Sequence, residues 1–246
     1  INSQSRQSLL PATHAQYAGY VAWRATLPES SLDRAHFDEL KDAITYCLLP
    51  AGHALIYPIP NLEGSLIPGE RLANLVWYHN YDQGTALDDL MTDNRGQRHS
   101  LSLPPGTVRA EHTQWARHYA QEHMAPAIAQ IVERCEQPFV QVIYDIDIDN
   151  MAFGRIALIG DAAFAVRPHA AAGTAKACAD GWALHDALRE CEGDVVEALS
   201  RWEPKQLQLG RQLLRRTRTM GNRSQFQHDW IPGDPELRLG LYGPGK

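Results

Sequence analysis

Alternation of apolar and polar side chains with a period of two marks several β-strands in the first part of the chain. In residues 17–26, Val21 and Trp23 fall on one face, whereas Tyr20 and Arg24 fall on the other. Alternation also predicts a strand at residues 140–148, and strands are expected at residues 53–59 and 72–81, on either side of a turn-rich segment. Because a turn-rich sequence, PNLEGSLIPGE, separates the second strand from the third, we expect neighbouring strands in a mainly antiparallel sheet.

A run without alternation follows at residues 156–159, directly before Gly160 and Asp161. A continuously apolar run is typical of a strand that is covered on both faces. We therefore predict that the environment of the chain changes here, with a domain boundary near Asn150. The expected fold class is α+β / α/β: a mainly antiparallel sheet with helices, followed by a strand-loop-helix portion of α/β type.

Apolar residues spaced three or four positions apart predict the helices. They cover residues 31–44, 115–135, 174–188 and 195–213. Ser31 is the expected N-cap of the first helix, and prolines should break the second near Pro126 and the fourth at Pro204. The tail from Trp230 is rich in Pro and Gly and is predicted to be irregular.

Composition narrows the class of partner. The chain has 246 residues and a net charge of -6, which argues against wholesale neutralisation of nucleic-acid phosphates and favours a small-molecule substrate. The four cysteines are scattered without C-x-x-C or zinc spacing, as in reduced cytosolic proteins. No apolar run is long enough to span a bilayer, and the N-terminus lacks the apolar core of a signal peptide. We expect a cytoplasmic location and neither a membrane nor a nucleic-acid partner. The sequence leaves the oligomeric state open, with a homodimer among the alternatives.

The segment 155–188, RIALIGDAAFAVRPHAAAGTAKACADGWALHDAL, carries the candidate chemistry. A strand that ends at Asp161 places a carboxylate where ligands of α/β sheets bind, and it can accept hydrogen bonds from ligand hydroxyls. Pro168 stiffens the loop that follows. Small residues up to Gly173 let the main chain approach a flat ligand, and the free amides at the helix start near Thr174 attract negative charge.

These residues resemble the second flavin-binding motif of the class A flavoprotein monooxygenases, the para-hydroxybenzoate hydroxylase family. The match is GDAA at residues 160–163, then Pro168, Gly173 and Asp180 at the family's spacing. The run RPHAAAGTAKA is most similar to the 2,6-dihydroxypyridine 3-hydroxylase-like branch. YAGYVAWR and YPIPN resemble strands of the family's substrate domain.

The resemblance implies an FAD-dependent monooxygenase that hydroxylates an activated aromatic ring, hydroxypyridine- or phenol-like, with NAD(P)H and O2. Residues 1–150 would form the substrate-binding domain, and over the first ~12 of them the chain would run from the FAD domain into it. Residues 151–246 would form the C-terminal part of the FAD-binding domain. The implied roles are ribityl binding for Asp161, a place beside the flavin ring for Pro168, and main-chain contacts to the ring's N1 and O2 from residues 172–175. The cofactor-binding set is Gly160, Asp161, Pro168, Ala171, Ala172, Gly173, Thr174 and Ala175.

Departures from the family pattern are Phe164 where many members have His, Ala170 where many have Gly, and Ala175 where many have Asn. A larger departure is that no G-x-G-x-x-G follows any predicted strand. We therefore expect an N-terminal dinucleotide-binding segment to be missing from this chain. The alternatives are a catalytically silent fragment or ligand-binding module without stable FAD, and a carrier or repressor-like protein that uses the pocket for recognition.

Several residues have both a functional and a structural interpretation. His169 is the candidate catalytic residue, as a proton relay, although histidines in loops are commonly just solvated. The strand residues Trp23, Tyr57, Trp77, Tyr78 and His79 could line an aromatic pocket or form ordinary core. His112, His118 and His123 lack supporting metal ligands, so no metal site is predicted. The arginines at 211–223 could contact NADPH or flavin phosphates, or RNA, although a solvated face is the more common role of such a set. The aspartates at 145, 147 and 149 are expected to face water.

Overall fold

A computed structural model describes residues 1–231 and 233–243. Its strands are β1 (Gln16–Pro28), β2 (Thr45–Leu49), β3 (Gly52–Ile59), β4 (Leu72–Asn80), β5 (Ser102–Leu103), β6 (Phe139–Asp145), β7 (Ala152–Phe153) and β8 (Ile156–Ala157). Its α-helices are α1 (Gln4–Leu9), α2 (Arg34–Leu40), α3 (Thr85–Leu90), α4 (Ala110–His123), α5 (Pro126–Arg134), α6 (Gly173–Glu190) and α7 (Val195–Asn222). No helix among these is long and apolar enough to cross a bilayer.

The chain divides into two compact units. The first, called the sheet unit, consists of residues 19–143, and the second, called the helical unit, consists of residues 1–18 and 144–246. The sequence places a boundary near Asn150. The roles assigned to the two predicted domains stay a prediction.

Six strands form one sheet in the order β2-β3-β4-β1-β6-β5. The pairs of β1 with β4, β2 with β3, β3 with β4, and β5 with β6 are antiparallel. This confirms the predicted antiparallel sheet and the strands at residues 17–26, 53–59 and 72–81. The strand predicted at residues 140–148 ends earlier, at Asp145.

The two faces of the sheet differ in chemistry. Trp23 pairs with Trp77 and Ala25 with Leu75, so these four side chains share one face. Trp77 of that face stacks on Trp115 of α4, and the neighbouring α5 buries Ile128 and Ile131. The opposite face is more polar and carries the set Tyr20, Arg24, Tyr46, His53, Tyr57, Asn74 and Tyr78. We call it the polar face.

The first predicted helix is wrong in its extent. Only Arg34–Leu40 is α-helical, and Asp33 rather than Ser31 occupies its N-cap position. Residues 45–49, which follow the predicted helix, form β2 and pair with β3 across a tight turn. Gly52 there has φ +129°, a value that favours glycine, so the turn and the cross-strand pairing override the local preference.

The remaining helices agree with the sequence apart from one break. The chain does separate α4 from α5 near Pro126, which occupies the first turn of α5. In contrast, α7 runs through Pro204 without interruption. Pro204 lies on the exposed side of α7, whereas Leu199 and Trp202 are buried in the core of the helical unit, and this packing offsets the lost backbone hydrogen bond.

The prediction of a covered strand at residues 156–159 is also wrong. Only Ile156–Ala157 is a strand, and it pairs with β7 in a two-residue ladder. Ile156 is 49% exposed and Ile159 is 39% exposed. Among the described residues, β7 is the strand that pairs with it, so the apolar run is not enclosed. The predicted irregular tail lies partly outside the described residues, and its described part contains a short 3-10 turn at Pro235–Leu237.

Candidate functional site

The turn that presents Asp161 begins with a glycine in a left-handed conformation. Gly160 has φ +54°, and a Cβ there would lie 3.0 Å from the Cβ of Ala177 in α6. Residues 160–162 form a 3-10 turn in which Gly160 is buried and Asp161 is exposed. Glycine is therefore required twice, for the backbone angle and for the close approach to α6. The carboxylate of Asp161 is free to contact a ligand outside the unit.

The loop after this turn is anchored by buried side chains. Ala163, Phe164 and Ala165 belong to the core of the helical unit, and Arg6 of α1 donates a hydrogen bond of 3.1 Å to the carbonyl of Ala162. Pro168 begins a second 3-10 turn and is exposed. Ala171 then adopts φ +51°, so the chain reverses sharply before α6.

The first turn of α6 is open. Its N-cap residue, Ala172, has no side chain that can accept a hydrogen bond from the helix amides. Thr174 and Ala175 are exposed, and a Cβ at Gly173 would meet no atom within 4 Å. An α-helix of 18 residues with an uncapped N-terminus favours negative charge at this end. The arrangement fits the anionic N1–O2 edge of a reduced flavin.

A buried ion pair lies behind the open surface. The ammonium of Lys176 is 2.5 Å from one carboxylate oxygen of Asp180, and both side chains are essentially inaccessible to water. The other carboxylate oxygen accepts the N–H of Gly160 at 2.9 Å. Burial lowers the pKa of Lys176, and its contact with Asp180 opposes that shift. In the sequence, Asp180 is visible only as part of the motif, and Lys176 was not predicted, although the i,i+4 spacing of opposite charges was a usable signal.

A second buried charge cluster holds the loop at Arg167, which lies towards its C-terminal end. Asp145 is only 3% exposed and receives hydrogen bonds from Arg167 and from Arg218 of α7. Arg167 also donates to the side-chain oxygen of Asn222 at 2.8 Å. The expectation that Asp145 faces water is therefore wrong, because guanidinium groups distant in sequence enclose it. Arg211, by contrast, pairs with the exposed Asp149 at 3.0 Å, as a solvated face would.

His169 follows directly after Pro168, but its side chain points into the unit. It is 6% exposed, and burial together with the charge of Arg167 lowers its pKa to about 3. The imidazole is therefore neutral at physiological pH, which disfavours a relay that passes through the protonated ring. Its catalytic role stays a prediction.

The five aromatic candidates in the sheet unit separate into two groups. Trp23, Trp77 and His79 lie on the helix-covered face and pack with Trp115 and Tyr119 of α4. They are core residues. Burial lowers the pKa of His79 to about 4.

Tyr57 and Tyr78 lie on the polar face, where Arg24 supplies a cation that was not among the predicted site residues. Arg24 donates to Gln141 at 3.0 Å and to Asn74 at 3.5 Å, and its guanidinium lies 5.6 Å from the ring centre of Phe139. Burial raises the pKa of Tyr78 well above its usual value. A half-buried arginine among tyrosines can recognise an aromatic ligand that carries negative charge or acceptor oxygens.

The three histidines of α4 do not converge on a common point. His112 contacts Asp89 at 3.4 Å, His118 contacts Glu122 at 3.2 Å, and the ring of His123 packs on Tyr119. Within residues 1–231 and 233–243, no group of three potential metal-binding side chains is found.

The model of the FAD binding domain-like family matches residues 17–145. A 2,6-dihydroxypyridine 3-monooxygenase of Paenarthrobacter nicotinovorans is 39% identical over 230 residues, which cover 92% of this chain and 55% of that protein. An FAD-dependent monooxygenase of Stachybotrys chartarum is 26% identical, over 100% of this chain and 52% of its own length.

Among solved structures, 2,6-dihydroxypyridine-3-hydroxylase from Arthrobacter nicotinovorans superposes with a TM-score of 0.91 at 34% identity, covering 99% of this chain and 61% of that one. A salicylate hydroxylase shares the fold, with a TM-score of 0.69 at 21% identity, over 95% of this chain and 55% of that one. The chain thus spans about half the length of the curated relatives that it matches along most of its sequence.

Proposed function

Because the chain belongs to the FAD binding domain-like family, we propose that it carries the substrate sheet and flavin loop of an FAD-dependent aromatic monooxygenase. The reaction would place one atom of O2 on an activated ring, hydroxypyridine- or phenol-like, at the expense of NAD(P)H. The observation that carries this proposal is the 39% identity to a dihydroxypyridine monooxygenase. That alignment leaves 8% of this chain uncovered, too little to omit residues 155–188.

The residues of the loop fit FAD. Asp161 is exposed on a rigid turn and would accept hydrogen bonds from the ribityl hydroxyls. The open first turn of α6, from Gly173 to Ala175, would face the N1–O2 edge of the ring, with Pro168 beside it. When bound, FAD would accept hydride from NAD(P)H and activate O2, chemistry that protein side chains cannot supply.

The contribution of the protein would be positioning and electrostatics. Uncapped amides at the start of α6 stabilise negative charge on a bound ring by about 0.3–2 kcal/mol. Arg24 on the polar face would hold an oxygen substituent of the substrate, with Tyr57 and Tyr78 beside it. Orientation of this kind raises the rate because the reacting atoms no longer have to find each other by diffusion.

We further propose that a dinucleotide-binding segment completes the FAD site. The exposed Ile156 of β8, the exposed Ile159 that precedes the Gly160 turn and the 75% exposed Trp182 of α6 are apolar side chains that such a segment would cover. Small aromatic substrate and O2 remain the other expected partners. A homodimer and a cytoplasmic location stay predictions.

A second candidate function is a ligand-binding module that does not retain FAD. The observation that favours it is that Asp161, Thr174 and Ala175 are all exposed, so the chain as described does not enclose the cofactor. Incubation with FAD followed by removal of the unbound cofactor distinguishes the two candidates. The module would bind aromatic ligands but would retain no flavin absorbance and would not oxidise NAD(P)H.

The deciding experiment uses the protein as its gene encodes it. We expect bound flavin absorbance, and oxidation of NADH or NADPH with uptake of O2 when 2,6-dihydroxypyridine or a substituted phenol is added, with a product 16 mass units heavier. Asp161→Ala should lower FAD affinity about tenfold or more while changing the unfolding temperature little. Asp149→Ala, at an exposed carboxylate on the same unit, is the matched control. Unchanged FAD affinity in Asp161→Ala would overturn the role of this carboxylate.

A further inference from the structure

We propose that the buried Lys176–Asp180 pair is a positioning device that fixes the turn carrying Asp161 and thereby sets the affinity of the flavin site. The inference rests on the proposed function in one respect, that Asp161 contacts FAD. It assigns a role to two charged side chains that no ligand can reach, since Lys176 is 1% and Asp180 0% exposed.

Gly160 is held at both of its backbone polar groups. Its N–H donates to Asp180 at 2.9 Å, and its carbonyl accepts the N–H groups of Ala163 and Phe164 at 3.0 and 2.9 Å. Because Gly160 has φ +54°, the turn depends on a conformation that is sparsely populated by other residues. Asp161 is the next residue, so any rotation of Gly160 redirects its side chain.

Lys176 is what allows Asp180 to perform this task as a carboxylate. Burial of a carboxylate without a counter-charge is strongly unfavourable, so a lone Asp180 would be driven out of the position in which it accepts the Gly160 N–H. The ammonium of Lys176 occupies the other oxygen of Asp180 and lies 5.3 Å from the ring centre of Phe164. Asp180 itself is fixed because its main-chain carbonyl accepts the indole N–H of Trp202 at 3.0 Å.

The pair also connects the two parts of the proposed flavin site. Lys176 and Asp180 lie one helical turn apart on α6, and the open first turn of the same helix begins at Gly173. Through the Gly160 hydrogen bond, the turn with Asp161 is tied to that helix. Both groups that would contact FAD are therefore held as one rigid piece, which lowers the entropic cost of binding.

A double-mutant cycle in the natural protein tests this role. Asp180→Ala should weaken FAD binding roughly tenfold, because a hydrogen bond to a charged group is lost. In the Asp161→Ala background the same change should cost little further affinity, because the side chain that Asp180 positions is already absent. Equal losses in both backgrounds would show that Asp180 acts independently of Asp161 and would overturn the proposal.

Two further variants separate positioning from stability. Leu199→Ala removes buried side-chain volume from the same core and should lower the unfolding temperature while changing FAD affinity by no more than about twofold. Lys176→Gln combined with Asp180→Asn replaces the ion pair by a neutral hydrogen-bonded pair that still offers an acceptor to Gly160, and should restore most of the affinity. A loss in Leu199→Ala as large as in Asp180→Ala would reduce the pair to a structural role.

The readout does not depend on flavin alone. If the wild-type protein bound no FAD, the proposed function would fail, and the positioning claim would be read from amide hydrogen exchange of residues 158–164. Within this range, the hydrogen-bonded amides of Gly160, Ala162, Ala163 and Phe164 should be protected in the wild type and exchange faster in Asp180→Ala. Unchanged exchange would sink the inference. Should Asp180→Ala fail to fold, Lys176→Met combined with Asp180→Leu takes its place in the same cycle, because this pair fills a similar volume, leaves no buried charge unpaired and offers no acceptor to Gly160.

Discussion

The sheet unit and the helical unit bury different kinds of side chain at their centres. In the sheet unit, Trp77 is fully buried between Trp23, Trp115 and Tyr119, and apolar contact dominates. In the helical unit, buried charges contact the two ends of the loop: the Lys176–Asp180 pair at Gly160 and the cluster around Asp145 at Arg167. Aromatic packing gives the sheet a stable scaffold, whereas paired charges give the loop one defined geometry at a cost in desolvation.

The largest expected effect comes from removing the central carboxylate of the helical unit. Asp145→Ala leaves the buried Arg167 and the half-buried Arg218 without their shared counter-charge, and should lower the free energy of unfolding by about 3–5 kcal/mol. Denaturant unfolding measures the loss. Adding Arg167→Met should restore part of it, because the unpaired charge is then removed as well.

That rescue is what distinguishes the two units. Trp77→Ala in the sheet unit should also cost about 3–5 kcal/mol, but through lost volume, so no change of charge can restore it. If Asp145→Ala/Arg167→Met were no more stable than Asp145→Ala, the cluster would be ordinary packing, and the contrast between the units would disappear.

A smaller effect is expected where the helical unit is packed most closely by apolar groups. A Cβ at Gly210 of α7 would lie 2.4 Å from ring atoms of Phe164, so Gly210→Ala must displace that ring and should cost about 1–3 kcal/mol. Gly181→Ala on α6 is the matched control, since a Cβ there meets no atom within 4 Å. It should stabilise the protein by about 0.5–1 kcal/mol through helix propensity.

The test is whether Gly210→Ala and Gly181→Ala change the stability in opposite directions. Should Gly210→Ala be as stable as the wild type in thermal unfolding, the ring of Phe164 has room to move, and the core of the helical unit is less rigid than its contacts indicate. Phe164 is also a position at which this chain departs from the family pattern, since many members have His there. The ammonium of Lys176 lies over its ring.

Local periodicity was enough to predict most of the sheet unit, because each strand signal is contained in a few neighbouring residues. The strand around Trp23 follows from its β-rich run and those around Tyr57 and Trp77 from the turn-rich segment between them, and the register adds which face each residue occupies. β2 was missed because its pairing with β3, rather than its own composition, decides its structure.

The candidate site was predictable only in part, for a physical reason. The motif around Asp161 and Gly173 is local and is visible in the sequence. The partners of Asp145 lie 22 and 73 residues further along the chain, so alternation wrongly placed this carboxylate in water. The burial of Lys176 depends on the packing of α6 against the rest of the unit, which periodicity does not reveal.

The smallest effect concerns pH and again separates the units. The pKa of His79 in the sheet unit is lowered to about 4, below its value near 6.5 in the unfolded chain, so the unfolded state binds the proton more readily. The stability contributed by neutral His79 is complete above about pH 6.5 and is lost as the pH falls towards 4. At about pH 5 the loss should be on the order of 1 kcal/mol once partial solvent exposure is allowed for.

His79→Phe should remove this pH dependence from the sheet unit while keeping a ring in contact with Trp77 and Trp115. The measurement is the free energy of unfolding between pH 7 and pH 5, followed by hydrogen exchange so that the two units are read separately. His118→Gln, at an exposed side chain of α4, is the control and should behave as the wild type. Because His169 in the helical unit also has a lowered pKa, that unit should keep its acid sensitivity in His79→Phe. If the acid sensitivity of both units decreased by the same amount, the chain would unfold as one cooperative structure, and the separate stabilisation of the two units would be excluded.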